Sequence, residues 1–244
     1  MRIHQIRTRY VNTYVIEVPE RMLVIDVARG SAKYVLGYVR QELKREPGEI
    51  ALVICTHNDP DHSGGAMNLA RLCGAETGMP YAMSSRLGRF KSLPVSSMTR
   101  LLTSAREGLR LRAWRMYANP ARSRRARRHP THEPVFDSDL KKQSLAKHLL
   151  KHGQRLPEFE EWQVVHTPGH SWDSCCYFHL PTRALISGDT LLGSTTSREL
   201  VKPAIYSSAR HLKRSIERLK KLDPQAVYPG HGMVLTGEQL LSHL

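Results

Sequence analysis

The chain has 244 residues, 37 basic against 22 acidic for a formal charge of +15, with 40% apolar residues and 14 prolines. That balance fits an ordinary globular protein with a core, and no apolar run approaches the roughly 20 residues of a membrane span, so a cytoplasmic location with no membrane partner is the expectation. The basic excess speaks to association with anions, whether nucleic acid, an anionic surface or a small anionic substrate, and not to fold.

In chain order, Val11–Val18 and Met22–Val27 read as strands joined by a hairpin at Pro19-Glu20-Arg21. Ser31 is a plausible cap for a helix that places Ala32, Val35, Leu36, Val39 and Leu43 on one face and ends at Pro47-Gly48. Ile50–Cys55 is a nearly continuous apolar run, the pattern of a buried strand. Gly65–Leu72 predicts a helix with Ala66, Leu69, Ala70 and Leu72 inward, which leaves residues 57 to 62 in a strand-to-helix loop, where sheet-based folds place chemistry.

The middle has less pattern. Leu87–Arg100 shows no clear period, Leu109–Met116 suggests a strand, Asn119–Thr131 an exposed loop, and Leu140–Leu150 a short helix with Lys141, Lys142 and Lys147 solvated. Nine arginines lie between Arg106 and Arg128. The expectation is a single domain over residues 1–244, with residues 84–156 forming a basic insertion or cap. Regular structure resumes with strands at Trp162–His166, Cys175–Leu180 and Arg183–Ser187. A helix at Ser208–Leu222 follows, with Ala209, Leu212, Ile216, Leu219 and Leu222 as its stripe, and then a strand at Ala226–Tyr228. The four cysteines, Cys55, Cys73, Cys175 and Cys176, show no metal-binding or disulfide spacing and read as reduced thiols.

The chemistry concentrates in Thr56-His57-Asn58-Asp59-Pro60-Asp61-His62-Ser63-Gly64-Gly65, four metal-competent side chains within six residues. Three further turns end a strand with glycine and then a ligand type: His170 in Thr167-Pro168-Gly169-His170, Asp189 in Ser187-Gly188-Asp189-Thr190, and His231 in Pro229-Gly230-His231-Gly232. Imidazoles and carboxylates without thiolates suit zinc, iron or manganese.

These motifs, in this order, together with Val11-Asn12-Thr13-Tyr14-Val15-Ile16 and Leu23-Val24-Ile25-Asp26, resemble the metallo-beta-lactamase superfamily across nearly the whole chain. The resemblance implies an α+β fold, the αββα sandwich of two mixed β sheets flanked by helices. It also implies two divalent metal ions, zinc first, with iron or manganese as alternatives. It assigns His57, Asp59 and His170 to one ion, Asp61, His62 and His231 to the other, and Asp189 as a bridge, with Asp61 also orienting the nucleophile. Asp59 departs from the family pattern, which has histidine there; the added carboxylate hardens the site toward iron or manganese.

The implied activity is cleavage of a small ester, lactone or thioester by a hydroxide held between two metals, as in the glyoxalase II-like and lactonase-like branches, with a small-molecule substrate, neutral or anionic, as partner. The alternatives are a nucleic-acid phosphodiesterase and a non-hydrolytic diiron redox or binding protein. Asp26 is a candidate to hold a ligand histidine, and Tyr206 to reach substrate. No pattern in the chain encodes its oligomeric state.

Overall fold

The computed structural model describes residues 1–8, 11–84, 95–110, 146–194 and 196–244. They divide into two compact units, one holding the described residues of 1–79 and 146–149, the other those of 80–110 and 150–244.

The first unit is built on a six-stranded mixed sheet. Strands β1 (Arg2–Arg7), β2 (Asn12–Glu17) and β3 (Met22–Ile25) form an antiparallel meander, and β4 (Ile50–Ile54) and β5 (Glu76–Pro80) add in parallel. The edge strand is β6 (His148–Leu150). Parallel neighbours require crossovers, and these are helices α1 (Ala32–Gln41) and α2 (Ala66–Cys73). Ala32, Val35, Leu36 and Val39 of α1 and Ala66, Leu69 and Ala70 of α2 pack on Val15, Val24, Ile50 and Val53. The alternate residues Tyr14, Ile16, Leu23, Ile25, Leu52 and Ile54 are buried too, so the sheet is covered on both faces.

The second unit holds a six-stranded mixed sheet in the order β14-β13-β10-β9-β8-β7. Its members are β7 (Arg155–Leu156), β8 (Phe159–His166), β9 (Cys175–His179), β10 (Ala184–Gly188), β13 (Ala226–Pro229) and β14 (Leu235–Thr236). A two-stranded ribbon, β11 (Leu192–Gly193) with β12 (Leu200–Val201), stands beside it in sequence. The unit also carries α3 (Tyr81–Ser84), α4 (Val95–Gly108) and α5 (Ala209–Leu222). Leu212, Ile216 and Leu219 of α5 pack on Val165, Cys176, Phe178, Leu185 and Val227.

Several expectations change. Leu72 is 45% exposed and points to solvent, because the 3.6-residue period puts Ala66, Leu69, Ala70 and Cys73 on one stripe and leaves Leu72 off it. Ser31 occupies the cap position of α1 without a side-chain capping bond. His148–Leu150 is strand, not the end of a helix: His148 and Lys147 both pair with Glu76 of the neighbouring β5. The loop at Asn119–Thr131 and all but the first two residues of the strand expected at Leu109–Met116 lie outside the described residues, as do positions 140–145. None of the four cysteines forms a disulfide, and Cys55, Cys175 and Cys176 are buried. Among the described residues no helix is long and apolar enough to cross a membrane.

Candidate metal centre

In the first unit, β3 and β4 run side by side with Ile25 opposite Ile54, so the residues that follow them meet. Asp26 sits there fully buried in the left-handed region, at φ 60°. Its carboxylate accepts from Thr56 N at 2.7 Å and from Thr56 Oγ1 at 2.9 Å, and its Oδ2 lies 2.8 Å from His62 Nδ1. The single hydroxyl proton of Thr56 is thereby committed to Asp26. His57 Nδ1, 3.0 Å from Thr56 Oγ1, must then be the donor in that pair. His62 Nδ1 likewise donates to Asp26. As neutral rings, both imidazoles therefore take the tautomer that presents an Nε2 lone pair, which is the form that binds metal.

The two buried rings lie 4.1 Å apart between centroids, their planes tilted by 43°, and one ligand atom of each lies within 4.8 Å of the other's. The carboxylates beside them are more open, Asp59 at 25% and Asp61 at 32% exposure. His57 Nε2 lies 3.3 Å from Asp59 Oδ2, and His62 Nε2 lies 3.8 Å from Asp61 Oδ2. A lone pair facing a carboxylate oxygen is repulsive unless a cation lies with them, so this donor set fits a divalent ion.

The loop between is closed by Asp59 O, which accepts from His62 N and Ser63 N, and by Val27 N, which donates to His62 O at 2.7 Å. A side chain at Gly64 would come 2.2 Å from Pro60 O, and one at Gly65 would come 2.4 Å from Ala28 O. Both positions demand glycine because backbone passes where a Cβ would be.

In the second unit, β10 and β13 are parallel neighbours with Gly188 opposite Pro229, so Asp189 and His231 emerge together. His231 Nε2 lies 3.4 Å from Asp189 Oδ2, and His170 Nε2 lies 3.7 Å from the same oxygen. All three side chains are at least 95% buried. His170 Nδ1 donates to Ile205 O at 2.8 Å, because a carbonyl can only accept; its Nε2 is again the lone-pair atom. Arg100 of α4 reaches that atom at 3.4 Å, and α4 is held there by Tyr206 N donating to Thr103 Oγ1. The His170 and Asp189 turns are tied by Thr167 Oγ1 to Thr190 Oγ1 at 2.8 Å.

The seven expected ligands thus gather as two sets, His57, Asp59, Asp61 and His62 in one unit and His170, Asp189 and His231 in the other. Asp26 takes the supporting role expected of it. Thr56 and Arg100 were not singled out from the sequence, since each acts through a partner 30 or more residues away. Tyr206 contributes its backbone to the anchoring of α4. Trp172 stands edge-on to both His166 and His211, at 5.7 Å from each, which gives His211 a packing role.

Burial holds the His166 imidazole below its ordinary 6.5, against the bond it makes to Trp172 O at 2.8 Å. The unfolded chain then binds that proton more readily than the folded one, so the contribution is full above 6.5 and is lost as pH falls below it. Urea midpoints measured between pH 7 and 5.5 should decline less steeply for His166→Gln than for the parent chain; equal slopes would contradict the assignment.

The metallo-beta-lactamase superfamily model matches residues 6–231, and the chain belongs to that superfamily. Its fold is the αββα architecture of that family, two mixed sheets flanked by helices. The metallo-beta-lactamase family protein TTHA1429 from Thermus thermophilus aligns with 99% of this chain and 77% of its own at a TM-score of 0.61 and 20% identity, a likeness of fold. The probable metallo-hydrolase YqjP of Bacillus subtilis is 32% identical over 97 residues, 38% of this chain and 30% of that protein. The atrochrysone carboxyl ACP thioesterase nsrC of Aspergillus novofumigatus is 23% identical over 231 residues, 93% of this chain and 51% of that protein. The chain therefore spans about half or less of these two curated relatives. The clustered histidines and aspartates make plausible metal sites, consistent with hydrolase chemistry.

Proposed function

We propose that the two ligand sets close on one binuclear centre and that the protein is a metal-dependent hydrolase of a small thioester, lactone or ester. His57, Asp59 and His170 would hold one ion, Asp61, His62 and His231 the other, and Asp189 would be shared. The observation that carries the reading is the fixed tautomer of His57, His62 and His170, each with Nδ1 engaged and Nε2 offered beside a carboxylate. Zinc is the first expectation, and the carboxylate-rich set with Asp59 also suits iron or manganese.

When bound, such ions lower the pKa of water enough to give a hydroxide near neutral pH and polarise the oxygen of the bond under attack. Asp61, the most open carboxylate of the set at 32% exposure, would orient the attacking water and take its proton. His57, His62, His170, His231 and Asp189, each buried within its own unit, would keep bulk water from the ions they hold. Arg100 adds a fixed cation that favours an anionic substrate. The similarity to a protein named as a thioesterase, over 93% of this chain, favours the thioester among the three bonds.

The test is elemental analysis of the purified protein coupled to a panel of thioester, lactone and phosphodiester substrates, before and after chelation. Two equivalents of metal and chelator-sensitive thioester turnover, lost in Asp61→Ala and Asp189→Ala, are expected. A protein that binds no metal on reconstitution, or that cleaves only the phosphodiester, would overturn the reading.

A further inference from the structure

Helix α5 (Ala209–Leu222) turns Leu212, Ile216 and Leu219 into the core and presents the opposite face to solvent. On that face Arg210, Lys213, Arg214, Glu217, Arg218 and Lys221 line a groove of about 510 Å³. The five cations occupy successive turns over about 16 Å at 1.5 Å per residue. Glu217, the one acid among the described residues of the groove, lies 3.5 Å from Lys220, which does not line it, so its charge is already engaged.

This pattern is not one that helix stability selects. Arg210 and Arg214, and Arg214 and Arg218, are like charges four residues apart, and Arg218 and Lys221 are like charges three apart; each such pair is repulsive. Arg210 also stands in the first turn, where no acidic residue is present and where the helix dipole disfavours a cation. Glu217 offsets them in part, with Lys213 and Lys221 each four residues away, and a merely solvated face gains little from the rest of this ladder.

The helix is joined directly to the His170 turn. Ser207 Oγ donates to His170 O at 2.9 Å, Ser215 Oγ donates to Pro168 O at 2.8 Å, and Arg218 donates to His166 O. Gly169 packs so closely on α5 that a side chain there would lie 2.4 Å from Leu212 Cα. Whatever docks on the groove is therefore brought to the turn that carries a proposed metal ligand.

We propose that the exposed face of α5 is the docking surface for an acidic helical carrier protein that delivers its thioester-bound acyl group to the site, an inference that rests on the thioester reading above. The groove favours this occupant over others. It has the length of about three helical turns, and among the described residues it lacks any ring on which bases would stack. Among the described residues it also has no apolar side chain to enter a bilayer.

The experiment uses the full chain and a fluorescein-labelled bacterial acyl carrier protein in its phosphopantetheine form, followed by fluorescence anisotropy. Saturable binding that weakens as ionic strength rises is expected, with affinity falling about tenfold or more in Arg210→Glu/Arg214→Glu. In the same variant kcat/KM for a free small acyl thioester should stay within about twofold, while KM for the carrier-bound thioester rises. Lys213→Glu/Lys221→Glu supplies an independent second variant on the same face. No saturable binding, or unchanged binding in both variants, overturns the docking surface. So does a poly(dT) oligonucleotide that binds more tightly than the carrier and is lost in the same variants. If the carrier binds through α5 but neither thioester is cleaved, the docking surface stands and the hydrolase reading falls.

Discussion

Asp26→Ala lowers the stability of the chain by about 2–6 kcal/mol, because two buried N–H donors lose their charged acceptor at about 1–3 kcal/mol each. Three bonds disappear together, those from Thr56 N, Thr56 Oγ1 and His62 Nδ1. Thr56 N and the ring of His62 are left in a site with no exposure. Alanine must also adopt the left-handed backbone at φ 60°, which costs an L-residue with a Cβ about 1–2 kcal/mol and which aspartate tolerates better.

Loss of Asp26 also frees the Thr56 hydroxyl proton and the His62 ring, so both neighbouring tautomers lose their constraint, and metal affinity should fall by about 10–100-fold, as for other residues that hold a ligand histidine. Denaturant titration and isothermal metal titration read the two effects separately. Asp26→Asn keeps an oxygen and accepts the backbone, so it should recover part of the stability. Parent-like unfolding in Asp26→Ala would show that the buried network contributes little.

The second large effect is expected at Gly232. A side chain there would lie 1.7 Å from Gly193 O, and the residue holds φ 89°. Gly193 N donates to His231 O at 3.0 Å, so the crowded contact is the one that sets the His231 turn. Gly232→Ala combines overpacking of about 1–3 kcal/mol with left-handed strain of about 1–2 kcal/mol. Gly153→Ala provides the control, since Gly153 has φ 82° but nothing within 4 Å of the added carbon. The expected result is a larger drop in denaturation midpoint for Gly232→Ala than for Gly153→Ala, together with weaker metal binding in the former alone. Equal effects would mean that the Gly193 contact relaxes easily.

Much of this arrangement is written locally. Gly64-Gly65 after the aspartate-histidine run, and glycine before or after His170, Asp189 and His231, announce tight turns at strand ends, and the turns are there. The α5 stripe is legible for the same reason, as a regular period over 14 residues. Helix α4 was not legible because its stripe is weak, with Leu101 and Leu102 each 63% exposed and serines and threonines spread through it. Position 148 misled because a short edge strand carries too few residues to display a period, and its identity comes from Glu76 across the sheet. Thr56 was invisible as a functional residue because its meaning depends on the register that sets Ile25 beside Ile54.

The proton order around Thr56 has a consequence for assembly. A zinc finger is unfolded until its ion arrives, so folding and metal uptake are one event. Here the rings of His57, His62 and His170 are already oriented by Thr56, Asp26 and Ile205, each through its Nδ1. That makes folding and loading separable steps in principle: a chain stripped by chelator should keep its native circular dichroism and refill without refolding, and loss of that signal on stripping would show the two to be one event.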